Sequence, residues 1–294
     1  MKKNVAHGFM ILATLGTFAF GASVFFLMPT LFAKEPLQEE LSKPEAKKNL
    51  GKHVVIYLDT MKLELKDNTS VLEVFPIVSK GKPGSYYETP GGTYINDYKI
   101  PLHLSSFGNV YLPHSVHIFG NFFIHGIPYY PNGERVSSNY SGGCVRLKDD
   151  DMARVYAFIE SGTPIIIGYE EKKELDGNFI HQEKMARLMV AVISLEFLPQ
   201  DDVILFNGEE TTRLALLKKL LGGNESVALF YAKTLGNETF IELMNEKARA
   251  IGLTETTFTS LGETPKTSGK DLMLFYAYLK NHKSYLLSTS TTAF

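Results

Sequence analysis

Cys144 is the only cysteine in this chain of 294 residues. It sits in the stretch Ser141-Gly142-Gly143-Cys144-Val145-Arg146, nineteen residues after His125. A thiol becomes a nucleophile when a nearby base takes its proton, and an imidazole can do so by forming a thiolate–imidazolium pair. Gly142 and Gly143 have no side chain, so backbone can approach a substrate closely there. Their amides, with that of Cys144, can point at a developing oxyanion. Arg146 lies two residues beyond the thiol and faces the same side if the segment is a strand. There it would hold a substrate carboxylate or brace the site through a salt bridge. These residue types in this order point to cysteine acyl transfer.

Each residue also has a plainer use. A lone cysteine is more often a small buried hydrophobe, and a lone histidine a satisfied polar group. Tyr129, Tyr130 and Tyr140 lie between base and nucleophile, where they would line a lid over the substrate or cover the core. His114 and His117 form an H-x-x-H pair, but on a strand that spacing sends the two side chains to opposite faces. No metal and no other cofactor is expected.

Composition narrows the class. The formal net charge is −2, with 44% hydrophobic and 21% charged residues, as in a globular protein. No basic excess suggests nucleic acid as a partner. A single cysteine excludes an intrachain disulfide framework and any multi-thiolate metal centre. The length suits two modest domains.

The elements that must position His125 and Cys144 are strands. His53–Leu58 is a short apolar run, Met61–Lys66 alternates, and Val71–Val78 alternates in part, with Asp67-Asn68 as the turn between them. Glycine and proline punctuate Gly81 to Gly92 densely, and more short strands follow to Gly126. Asp149–Glu160 is the first clear helix pattern, with its acids at the N-terminal end, where the helix dipole favours them. Thr163–Gly168 reads as a buried strand. Residues 51–170 therefore form a mostly-β domain with few helices. A charged linker over 171–183 follows. The period then becomes helical, with Met185, Leu188, Met189, Val192 and Ile193 on one face, so residues 184–294 read as an α-rich unit.

At the other end, Gly8–Ala33 contains no charged side chain and exceeds the ~20 residues a helix needs to cross a bilayer. Lys2 and Lys3 precede it, which predicts a cytoplasmic N-terminus and a domain outside. Leu31-Phe32-Ala33 lacks the small residue expected first in a cleavage site. Residues 1–33 are thus expected to be an uncleaved single-pass anchor, with a cleaved signal as the competing reading. The charged, proline-bearing stretch 34–50 would be a tether.

Together the motifs resemble one family specifically. A His-Gly pair before a Ser-Gly-Gly-Cys-Val-Arg segment resembles the signature of the L,D-transpeptidase (YkuD-like) family. Thr89-Pro90-Gly91-Gly92-Thr93-Tyr94 and Leu112-Pro113 resemble further elements of it, as do the helix from Asp151 and the segment Gly162–Ile165. The resemblance covers about residues 51–170 and implies a β-sandwich with few helices. It makes Cys144 the nucleophile and His125 its base. Gly126 would orient the imidazole through its carbonyl. Ser141, Gly142 and Gly143 would shape the oxyanion pocket, and Arg146 would bind or organise the donor peptide. One position departs: the family's second histidine is Gly142 here, which predicts weaker acyl-donor positioning. The implied chemistry is attack on the third residue of a peptidoglycan stem peptide, loss of the terminal D-alanine, and transfer to the amine of another stem as a 3→3 cross-link. Water as acceptor would make an L,D-carboxypeptidase.

Residues 184–294 resemble D-alanyl-D-alanine carboxypeptidases of the penicillin-binding class. Their Ser-x-x-Lys motif becomes Lys184-Met185-Ala186-Arg187, and their Ser-x-Asn motif becomes Gly222-Gly223-Asn224. Lys266-Thr267-Ser268-Gly269 echoes the third motif only superficially and stands before a helix. No serine nucleophile remains, so this unit is expected to be a scaffold, or a module binding stem peptides or a wall-synthesis partner. A non-catalytic wall-binding protein with two decayed modules is the alternative to the enzyme.

Overall fold

The computed structural model describes residues 50–170, 177–198 and 203–289. The expected anchor, 1–33, and all but the last residue of the expected tether, 34–50, lie outside the described residues, as do residues 171–176 of the 171–183 linker. Among the described residues no helix is long and apolar enough to cross a membrane.

The first sheet follows from two kinds of strand. β1 (Lys52–Tyr57) and β9 (Pro164–Gly168) carry the apolar runs Val54–Ile56 and Ile165–Ile167, and they pair in parallel with Val54 opposite Ile165 and Ile56 opposite Ile167. Runs apolar on both faces suit central strands covered on both sides. β2 (Lys62–Asp67) alternates instead, burying Leu63 and Leu65 and turning Lys62, Glu64 and Lys66 outward. Asn68 makes the turn to β3 (Ser70–Pro76) in the left-handed region, φ 51°, which asparagine tolerates. With β4 (Gly92–Ile95) at the far edge, the order is β3-β2-β1-β9-β4.

The second sheet carries the site. β5 (Lys99–Ser105), β6 (Val110–Phe119), β7 (Phe122–His125) and β8 (Val145–Arg146) lie in that order. β6 and β7 are antiparallel with an irregularity between His117 and Phe119, whereas β8 runs parallel to β7. α1 (Asp149–Phe158) follows at once, with Asp149, Asp150 and Asp151 in its first turn and Met152 and Val155 buried.

The rest is mostly helical: α2 (Gln182–Phe197), α3 (Arg213–Leu221), α4 (Glu225–Leu235), α5 (Asn237–Ala250), α6 (Gly269–His282) and α7 (Ser284–Thr289). A hairpin of β10 (Ile204–Phe206) and β11 (Glu209–Thr211), unforeseen in the periodicity, separates α2 from α3. α2 also departs from the one-faced pattern. Ala186, Val190, Ala191 and Leu195 are buried along with the expected residues. The helix lies among α3, α4 and α5, so its whole circumference is covered.

The described helices pack against the β-rich part. One buried apolar cluster runs from Val54 through Phe122 and α2 to Leu286. α5 packs on β4, and Tyr285 of α7 reaches Tyr86 with ring centroids 4.4 Å apart.

Candidate active site

The site forms where β7 ends beside β8. Ile124 pairs with Val145 and His125 with Arg146 in a parallel register. Ile124 and Val145 turn into the core and are fully buried. His125 and Arg146 therefore point to the opposite face. Cys144 immediately precedes β8, which makes it a diagonal neighbour of His125 on that face.

His125 is buried, and its Nδ1 lies 2.6 Å from the carbonyl oxygen of Gly126. A carbonyl only accepts, so Nδ1 carries the hydrogen and Nε2 is left bare to receive a proton. Burial lowers the His125 pKa to about 3, against an opposing pull from the Gly126 carbonyl. Burial likewise pushes the Cys144 thiol up to about 11, partly offset by a backbone hydrogen bond from Phe123 and by the charge of Arg146. Both groups are thus neutral at pH 7 in the resting protein.

Three constraints shape the loop before Cys144. On one side it is clamped by the segment after β3: Val78 donates to the Arg146 carbonyl (2.8 Å), Arg146 to the Ser79 carbonyl (2.9 Å), and Ser141 to the Lys80 carbonyl (2.9 Å). Inside the loop, the Ser141 hydroxyl donates to the Cys144 carbonyl (2.5 Å) and accepts from the Gly143 amide (3.0 Å). From a third direction, the Thr89 hydroxyl donates to the Gly143 carbonyl (2.9 Å) while accepting from the Gly81 amide (2.9 Å). Gly143 has φ +111°, and a side chain there would overlap the Phe122 ring, so no other residue fits.

These bonds revise the expected oxyanion set. The Gly143 amide is engaged by Ser141, which leaves the amides of Gly142 and Cys144 as the loop's candidate donors. A Cβ at Gly142 would come within 2.8 Å of Phe107 Cε1, so the Phe107 ring occupies that space. Phe107 is 49% exposed and packs near Tyr87, with ring centroids 5.8 Å apart. Nothing in the sequence marks Phe107, which comes from a turn between β5 and β6.

The remaining candidates are placed with less focus on the thiol. Arg146 Nη1 donates to the Ser138 hydroxyl at 3.0 Å, holding the loop that carries Tyr140. Tyr129 stacks near Tyr111, ring centroids 5.4 Å apart, and lies under the Arg135 guanidinium. Tyr130 and Tyr140 are exposed. His117 Nδ1 lies 2.6 Å from Asp97 Oδ1, and His114 faces the Tyr156 ring, so each is used separately. No cluster able to hold a metal ion occurs among the described residues.

In the helical part, Arg187 and Asn224 line a cleft of about 430 Å³ with Leu220, Glu225, Ile241 and Ser260. The Asn224 side chain is spent on capping α4, accepting from the Ser226 amide. Ser268 caps α6 in the same way, which accounts for the Lys266–Gly269 segment.

No curated protein matches the chain. Among solved structures, an L,D-transpeptidase from Mycobacterium smegmatis is similar at 26% identity and a TM-score of 0.34, over 40% of this chain and 58% of that one. An L,D-transpeptidase from Stackebrandtia nassauensis is similar at 24% identity and a TM-score of 0.35, over 43% of this chain and 59% of that one. The chain thus spans less than two thirds of the length of either. Residues 51–167 match the family model of the L,D-transpeptidase catalytic domain, YkuD, so the β-rich part of this chain, with His125 and Cys144 in it, carries a domain of that type.

Proposed function

We propose that the protein is a peptidoglycan L,D-transpeptidase working through a Cys144 acyl-enzyme. The observation that carries this reading is the register of β7 against β8, which sets Cys144 diagonally beside an imidazole whose Nδ1 is tied to Gly126. Cys144 Sγ gives its proton to His125 Nε2 and attacks the carbonyl carbon of the third stem-peptide residue. The oxyanion takes the amides of Gly142 and Cys144. The C–N bond to the terminal D-alanine breaks, and His125 returns the proton to the departing amine. An amine of a second stem then attacks the thioester, His125 takes its proton, and the thiol is restored as the 3→3 link forms. Arg146, through Ser138, and Tyr140 would border the donor peptide, and Tyr129 would support that wall. In the same reading, residues 1–33 anchor the domain outside the cytoplasm, and 184–294 serve as scaffold.

The test is incubation of the full chain with tetrapeptide-stem muropeptides, followed by intact-mass analysis. An acyl adduct on the native protein, absent from Cys144→Ala and from folded His125→Ala, is expected. Binding without any adduct would sink the enzyme reading and favour a wall-binding protein.

A further inference from the structure

Deep between the helices and the sheets, three charged side chains share one site. Glu196 of α2 is fully buried, its Oε2 2.9 Å from Lys247 Nζ of α5 and its Oε1 3.3 Å from Lys283 Nζ. Tyr278 donates to Oε1 at 3.1 Å, and Lys247 donates to the Tyr94 hydroxyl of β4 at 2.7 Å. Lys247 is fully buried, and 1% of Lys283 is exposed. Two ammonium groups thus face one carboxylate out of water. Such burial is costly, and apolar residues of similar size often serve stability as well or better. Packing alone is therefore a poor reason for Lys283.

Its other contacts give a better one. Lys283 Nζ donates to the Glu88 carbonyl at 3.0 Å and lies 5.5 Å from the centre of the Phe122 ring. The residue after Glu88 is Thr89, whose hydroxyl holds the Gly143 carbonyl. Phe122 is the ring that fills the space over Gly143. One ammonium therefore touches both supports of the residue next to the thiol. Glu196 adds a third contact through its backbone: its carbonyl accepts from the Asn121 amide at 2.9 Å, and the Asn121 carbonyl faces Cys144 Sγ at 3.9 Å.

We propose that Lys283 is a positioning residue for the Cys144 loop, holding Glu88-Thr89 and Phe122 against Gly143 from the helical part of the chain. The helical part is then a working wall of the site. The proposal deepens the acyl-transfer reading and rests on it, but its physical core concerns the thiol alone.

The experiment follows alkylation of Cys144 by iodoacetamide against pH in the full chain, with acylation by stem peptide measured beside it. The variants are Lys283→Met, Lys283→Arg, which keeps the buried charge with a displaced donor, and Thr89→Val, which cuts the Gly143 bond without touching the charges. In the native protein burial pushes the thiol up to about 11, and alkylation should rise toward a midpoint there. Releasing the loop lets water in. Lys283→Met and Thr89→Val should each move that midpoint down by a unit or more and slow acylation at least tenfold, and Lys283→Arg should give a smaller shift in the same direction. Combining Lys283→Met with Thr89→Val should add less than the sum of the two changes, because both loosen the same Glu88-Thr89 support of Gly143. If Lys283→Met does not fold, the Arg variant paired with Thr89→Val makes the same comparison. An unmoved midpoint in a folded Lys283 variant, or fully additive shifts, overturns the proposal. Absence of acylation in the native protein would instead reject the transpeptidase reading, and the alkylation profiles would still decide the role of Lys283.

Discussion

The Phe122 ring lies over Gly143 so closely that the position next to Cys144 has no room for a Cβ. The backbone there adopts φ +111°, which is also closed to ordinary L-residues. Sterics and backbone thus point the same way. Gly143→Ala should cost about 3 kcal/mol or more of stability. Urea unfolding checks that figure. In whatever fraction stays folded, acylation of Cys144 should be lost, because the loop must shift away from Thr89 to make room.

Gly142 should behave differently. Its backbone has no positive φ, and the atom nearest an added Cβ is the edge of the exposed Phe107 ring at 2.8 Å. A ring on a turn can swing aside, so Gly142→Ala should change stability by about 1 kcal/mol at most, in either direction. Restoring a side-chain donor beside the thiol, as Gly142→His with Phe107→Ala, should raise the rate of acylation several-fold over Phe107→Ala alone. An equal or lower rate would mean that the missing donor is not what limits this site.

The buried imidazole predicts the acid limb of stability. In the fold the His125 pKa is lowered to about 3, while the unfolded chain takes up that proton near 6.5. Between those values the native state binds fewer protons than the unfolded one. The contribution is therefore complete above pH 6.5 and is lost as pH falls toward 3, by up to about 1.4 kcal/mol per pH unit. Urea midpoints at pH 7, 5 and 4 should show this decline, and His125→Gln should flatten it. A variant that declines as steeply as the native protein would assign the acid limb to other groups.

Much of this arrangement is legible in the sequence because it is local. Uninterrupted apolar runs at Val54–Ile56 and Ile165–Ile167 specify central strands, and the alternation of Lys62–Lys66 specifies a half-buried one. Acidic residues at the start of α1 and asparagine at the β2–β3 turn are likewise readable where they stand.

What distance in the chain conceals, only packing decides. Glu196, Lys247 and Lys283 read as solvent-facing charges of ordinary helices, yet they meet in the core because α2, α5 and the end of α6 converge beneath β4 and β7. Phe107 reads as a loop residue until the turn carrying it folds over Gly142. The choice of oxyanion donors also waits on structure, because the Ser141 hydroxyl could face either way until the Cys144 carbonyl and the Gly143 amide both bind it. The sequence by itself determined that there is one thiol, a histidine nineteen residues before it and a glycine pair between strands, because those are properties of residue type and short-range pattern. The tertiary structure decided which amides remain available, that the Phe107 ring fills the space beside Gly142, and that Lys283 reaches the Glu88 carbonyl and the Phe122 ring, because such contacts depend on long-range packing.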